Sequence, residues 1–208
     1  VDRAAKLVAI VERMQRDGEA WRAERLEFER QLAVANADPA TTRADLEAAC
    51  SERTRGILVN TPANPSGKVF SPTELGMIAE FCQDRDLRAI TDEIYEYIVY
   101  SGHEHISLAS LPGMWERTVT ISGFSKTFSI TGWRLGYAVA PAPLSSPIGV
   151  MNDLLYICAP TPLQHGVARG MAELHPDYYS SMAADYERKR DLFCATLREA
   201  GLTPHVPD

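Results

Sequence analysis

Lys126 stands in the run Ser122-Gly-Phe-Ser-Lys-Thr-Phe-Ser-Ile-Thr-Gly-Trp-Arg134, eight residues ahead of Arg134. Upstream lie Asn64, in an Asn-Pro-Ser-Gly turn, and the cluster Asp92-Glu-Ile-Tyr95. A lysine amine can form a Schiff base with an aldehyde, a carboxylate can hold a ring nitrogen protonated, and a guanidinium can grip a phosphate. None of these residues is specific taken singly. In this order and at these spacings, they fit one cofactor, pyridoxal phosphate.

Chemistry of this kind needs elements that bring distant residues to one place. Residues 44–140 alternate between short apolar runs and amphipathic stretches, the pattern of a parallel sheet covered by helices. Arg55 to Asn60 reads as a strand, broken by the turn from Thr61 to Gly67. Ser71, Pro72 and Glu74 then announce a helix through an N-terminal cap, a first-turn proline and a capping box. Leu75, Ile78, Ala79 and Cys82 recur at helical spacing and predict its buried face. Leu87 to Asp92, Thr118 to Ser122 and Leu135 to Ala140 read as further strands. Ligands of open α/β sheets bind beyond the carboxyl ends of the strands. Asn64, Asp92 and Lys126 all fall there. Past Pro141 the chain reads as helical over Met151–Ala159, Leu163–Leu174 and Asp177 to about Ala200, the last closed by Gly201.

The bulk numbers narrow the alternatives. A chain of 208 residues, 45% hydrophobic and 24% charged, is that of an ordinary globular protein with one substantial core. A net charge of -7 without a basic patch argues against a nucleic-acid partner. No apolar segment has the length of a membrane span and the N-terminus lacks a signal-peptide pattern, so a cytoplasmic location is expected. Cys50, Cys82, Cys158 and Cys194 are widely spaced and read as buried or idle thiols. His103 and His105 flank Glu104 with no partner cluster elsewhere, so they read as a solvated loop and no metal site is expected. Leu7, Val8, Ile10, Val11 and Met14 form a helical stripe, and charges crowd the stretch from Glu19 to Arg30. Residues 1–34 therefore read as one or two amphipathic helices.

From about Ala44 to Pro207 the sequence resembles the middle of a class I/II pyridoxal phosphate-dependent aminotransferase, of the aspartate aminotransferase, fold type I family. The resemblance rests on Asn60-Thr-Pro-Ala-Asn-Pro-Ser-Gly67, Asp92-Glu-Ile-Tyr95 and Ser125-Lys-Thr-Phe-Ser-Ile-Thr-Gly-Trp-Arg134. It implies an α/β fold with a mostly parallel sheet flanked by helices, like the large domain of those enzymes and shortened at both ends. It implies three segments: a helical stretch over 1–43 outside the match, a cofactor-binding core over 44–145, and helices over 146–208 leading toward a small domain. Lys126 matches the Schiff-base lysine and Asp92 the partner of the pyridine nitrogen. Asn64 and Tyr95 match the donors to the cofactor's phenolic oxygen, and Arg134 matches the phosphate-binding arginine. Ser125 and Ser122 could each add a hydroxyl to the phosphate. The position three before the lysine, serine in many relatives, is Gly123 here, so the sequence leaves the contributing serine open. Homodimers that act on an amino acid and a 2-oxo acid are implied as well.

The resemblance has limits. Relatives carry, ahead of the matched region, a phosphate-cradling turn and an aromatic residue that stacks on the pyridine ring. Residues 1–43 display neither, and Trp21 and Phe28 sit among helical charges. Two readings of function follow. In the first, an aminotransferase moves an amino group between an amino acid and a 2-oxo acid, with a related lyase or synthase as a variant of the same chemistry. In the second, the chain is a catalytically silent remnant or interaction module. Tyr156 and the stretch Cys158 to Pro162 are candidates for approaching the site or for packing.

Overall fold

The computed structural model describes residues 42–208 and the backbone of residues 32–35. In chain order the elements are strand β1 (Leu32–Ala35), helix α1 (Arg43–Ala49), β2 (Gly56–Asn60), α2 (Pro72–Asp84), β3 (Arg88–Asp92), β4 (Thr118–Gly123), the short α3 (Phe124–Thr127), β5 (Gly136–Val139), α4 (Ala142–Leu155), α5 (Thr161–Glu173) and α6 (Tyr178–Glu199). The strands form one sheet in the order β1-β2-β3-β4-β5. Pairing is parallel from β1 to β4 and antiparallel between β4 and β5. This is the expected α/β architecture, a mostly parallel sheet with flanking helices.

Local chemistry accounts for α2 and for the core beneath it. The Ser71 side chain accepts from the Glu74 amide while the Glu74 carboxylate accepts from the Ser71 amide at 2.9 Å, and Pro72 occupies the first turn. Leu75, Ile78, Ala79 and Cys82 are buried as their spacing predicts, and Phe81 joins them. They pack with Ile57 and Val59 of β2 and Ala89 of β3, residues that alternate along their strands and so share one face of the sheet. Burial pushes the Cys82 thiol up to about 12, which makes it an inert core residue. Cys194 is buried too, whereas Cys158 is exposed; all four cysteines are free thiols.

Several expectations give way. Leu32–Ala35, within the stretch read as helical, is a strand that pairs with β2. The helices expected ahead of it, with Trp21 and Phe28, lie outside the described residues. Helix α4 begins at Ala142, well before Met151, and runs across residue 145. It holds Pro147 in its interior, a residue that costs a helix one internal hydrogen bond. His105 is largely buried against Glu93 rather than solvated. Among the described residues no helix is long and apolar enough to cross a membrane.

Candidate active site

Three parallel strands end at the same level, and the site is built where they stop. The register sets Asn60 beside Asp92 and Asp92 beside Ile121. Just past those ends the chain supplies Asn64 after β2, Tyr95 after β3, and Ser125 with Lys126 after β4. These four residues line one cavity of about 540 Å³, together with Tyr100, Ser129, Thr131, Tyr186 and Pro207. The Lys126 Nζ lies 5.6 Å from the centroid of the Tyr95 ring. Asn64 Nδ2 donates to the Tyr95 hydroxyl at 3.5 Å. An amine, a phenol and a carboxamide therefore face one another across a small space.

The Asn64 turn is fixed from beneath and from the side. Asn60 Nδ2 donates to the Asp92 carbonyl at 3.1 Å, and Asn60 Oδ1 accepts from the Asn64 amide at 2.8 Å. Asn60 thus ties the turn to the end of β3. Farther along, Gly67 adopts φ +73°, and a Cβ there would lie 2.4 Å from Pro207 Cβ. Only glycine suits both the conformation and the contact. Asp208 closes this side, its amide donating to the Gly67 carbonyl at 3.1 Å and its Oδ2 accepting from the Val69 amide at 3.1 Å.

Asp92 and Arg134 do not line the cavity. Asp92 Oδ1 accepts from the Ile94 amide at 3.2 Å, an interaction that turns the chain at the end of β3. Arg134 is exposed, holds a left-handed backbone at φ 56°, and donates from Nη1 to the Thr131 carbonyl at 3.3 Å. Its contact is with a residue that does line the cavity. The two candidate serines lie in different places. Ser125 lines the cavity. Ser122 is buried and donates to Glu96 Oε1 at 2.9 Å. At Gly123 a Cβ would come 2.9 Å from the Leu135 carbonyl oxygen, so β5 approaches too closely for a side chain.

Sequence reasoning missed several wall residues. Tyr100 sits below the Arg190 guanidinium, 4.5 Å from the ring centroid. Burial pushes its phenol up and Arg190 opposes that, with burial the larger effect, so the hydroxyl keeps its hydrogen at neutral pH. Tyr186 and Arg190 lie on α6, whose amphipathic pattern was legible but whose docking was not. That docking shows in Tyr178, which donates to the Thr127 carbonyl at 2.8 Å, and in Glu187, which accepts from the Ser101 hydroxyl at 2.9 Å. Tyr156 and Cys158 are exposed and are not part of the cavity wall.

The family model for "Aminotransferase class I and II" matches residues 19–208, so the match begins well ahead of Ala44. Kynurenine--oxoglutarate transaminase 3 of Mus musculus is 43% identical over 171 residues, which are 79% of this chain and 37% of that protein. Kynurenine--oxoglutarate transaminase 1 of Homo sapiens is 40% identical over 163 residues, 76% of this chain and 39% of that protein. Among solved structures, N-succinyldiaminopimelate aminotransferase from Mycobacterium tuberculosis superposes with a TM-score of 0.76 at 36% identity, covering 80% of this chain and 44% of that one. An aromatic aminotransferase from Pyrococcus horikoshii OT3 gives a TM-score of 0.75 at 35% identity, covering 81% and 46%. The chain spans less than half the length of each of these relatives. The family model spans most of the sequence, and the chain belongs to the class I and II aminotransferase family.

Proposed function

We propose that this chain carries the pyridoxal phosphate site of an aminotransferase, which moves an amino group between an amino acid and a 2-oxo acid. One observation carries the reading: Lys126, Tyr95, Asn64 and Ser125 meet in a single cavity at the carboxyl ends of parallel strands. A cavity of about 540 Å³ is of the size that small-molecule sites use. The donor set also fits the group. When bound, the cofactor supplies an electron sink for the pair left behind as the α-proton departs.

The residues divide the remaining work by their chemistry. Lys126 Nζ is the amine that attaches the aldehyde and, once free, takes the proton from the substrate's α-carbon. Tyr95 Oη and Asn64 Nδ2 can both donate to one acceptor, as a phenolic oxygen requires. Asp92, at the end of β3 behind the cavity wall, would be the carboxylate for the pyridine nitrogen and would keep it protonated. Ser125 offers a hydroxyl and Arg134 a planar guanidinium to phosphate oxygens. Arg134 reaches that task by leaving the Thr131 carbonyl, a modest exchange for an exposed side chain. Assembly as a homodimer and a cytoplasmic setting belong to the same proposal.

The test is transfer itself. The purified chain with pyridoxal phosphate is offered a panel of amino acids and a 2-oxo acid, and the new amino acid is measured. Transfer from at least one donor with ping-pong kinetics, abolished in Lys126→Ala, is the expected result. Cofactor uptake on Lys126 without transfer from any donor contradicts the catalytic part of the reading.

A further inference from the structure

The connection from β3 to β4, residues 93–117, contains no α-helix; it has two short 3-10 turns, Leu108–Ser110 and Trp115–Arg117. Parallel strands are usually joined through a helix that packs its own apolar face on the sheet. A crossover without one must be fastened by other means. Leu108 and Met114 anchor its far half in the core. The near half, which carries Tyr95, is held by polar contacts.

Glu96 takes Ser122 and Tyr137 at the surface side, and the buried contacts gather on Glu93, which is 2% exposed. Burying a carboxylate is costly unless donors surround it. Glu93 has three: Thr91 Oγ1 at 2.8 Å and Ser107 Oγ at 2.9 Å on Oε1, and His105 Nε2 at 2.9 Å from Oε2. Thr91 belongs to β3, whereas His105 and Ser107 come from the far part of the connection. The main chain of Glu93 is fastened as well. Its amide donates to the Ile121 carbonyl at 2.8 Å, and its carbonyl accepts from the Glu96 amide at 2.9 Å. Side chains alternate along a strand, so Thr91 and Glu93 share one side and Asp92 faces the other.

We infer that Glu93 is a positioning residue: by gathering Thr91, His105 and Ser107 on one buried carboxylate, it fixes the Asp92–Tyr95 segment at the rim of the cavity. This rests on the proposed roles of Asp92 and Tyr95. A carboxylate only accepts hydrogen bonds, so His105 presents the hydrogen on Nε2. Its Nδ1 is then the ring atom that is buried without a partner. In Glu93→Gln the charge is lost and one of the two side-chain positions turns from acceptor to donor. Either His105 or the two hydroxyls must then reverse their role or lose their bond.

The experiment uses the full chain without ligand and reads two things. Side-chain nitrogen shifts of His105 should report a hydrogen on Nε2 in the parent. Amide exchange at Ile94 and Glu96 should quicken about tenfold in Glu93→Gln, while Leu58 and Ala89 in the sheet core change less than about twofold. Ser107→Ala, which removes one donor, should quicken the same two amides and stands in if Glu93→Gln does not fold. A bare Nε2 on His105 in the parent, unchanged exchange at Ile94 and Glu96, or equal quickening throughout the sheet overturns the inference. Pyridoxal phosphate is then added to the same samples. The expected result is affinity about tenfold weaker in Glu93→Gln, with Lys126 still modified. Affinity equal to the parent's overturns the inference. If the parent takes up no cofactor, the proposed function fails, and the tautomer and exchange results still decide the role of Glu93.

Discussion

Tyr95 contributes a hydroxyl and a ring to the cavity, and the two can be separated. Phenylalanine keeps the ring beneath Lys126 Nζ and removes the group that Asn64 now meets. Tyr95→Phe should weaken pyridoxal phosphate binding about tenfold, the worth of one hydrogen bond to a charged acceptor, with the fold unchanged by circular dichroism. A fluorescence titration with the cofactor checks this; equal affinity would remove Tyr95 from the donor set. At this scale the legible residues were those whose type is unusual for its place: a lysine after a strand among small residues, an asparagine between prolines, an acid at a strand end. Asn60 and Glu93 were not legible. Asn60 works by reaching across to the neighbouring strand. Glu93 depends on His105 and Ser107, whose approach is set by a loop path that no local pattern encodes. Applying the strand-end rule to β2 as strictly as to β3 flags Asn60.

Helix α2 carries the clearest link between sequence, local structure and pH. Burial alone would raise the Glu74 carboxyl. The hydrogen bonds from Lys68 and Ser71 and the Lys68 charge outweigh it and hold the group below its ordinary value of 4.5. The Lys68–Glu74 contact is 2.6 Å, with both side chains mostly buried. A carboxyl lowered in the folded chain binds its proton more readily when unfolded, so it stabilises fully above about pH 4.5 and loses that contribution as pH falls below it. Urea midpoints measured from pH 7 to pH 3 should therefore fall more steeply for the parent than for Glu74→Gln, which has no such carboxyl. Parallel curves would contradict the assignment. Strands β2 to β5 and helix α2 were legible because period and punctuation agreed. The two departures have separate causes. The four apolar residues of β1 follow charged, helix-like sequence, and a short continuous apolar run does not declare its period. In α4, Pro147 removes one internal hydrogen bond, yet the helix continues to Leu155, so a local penalty is overridden.

At the scale of the whole molecule, the described residues include many exposed apolar side chains. All four residues of β5 are exposed, and Val150, Leu154, Leu155 and Ile157 project from α4 and the turn that follows. Exposed apolar residues of this kind are the ones that an association site would cover. At a chain mass of 23.0 kDa, sedimentation should show self-association, and Leu154→Lys with Leu155→Lys should return the chain toward a single copy; a monomeric parent at micromolar concentration would contradict the homodimer. The fold class and the strand-end cavity were legible at this scale, since alternating elements dictate the first and the sheet rule the second. The wall supplied by α6 and residues 207–208 was not, because it depends on how a distant helix docks. The central claim is that this arrangement puts one particular amine in reach of an aldehyde. It is tested most directly by adding pyridoxal phosphate, reducing with borohydride and mapping the modified peptide by mass spectrometry. The account predicts a single phosphopyridoxyl group on Lys126, absent in Lys126→Ala; label spread over several lysines at similar levels, or none at Lys126, would contradict it.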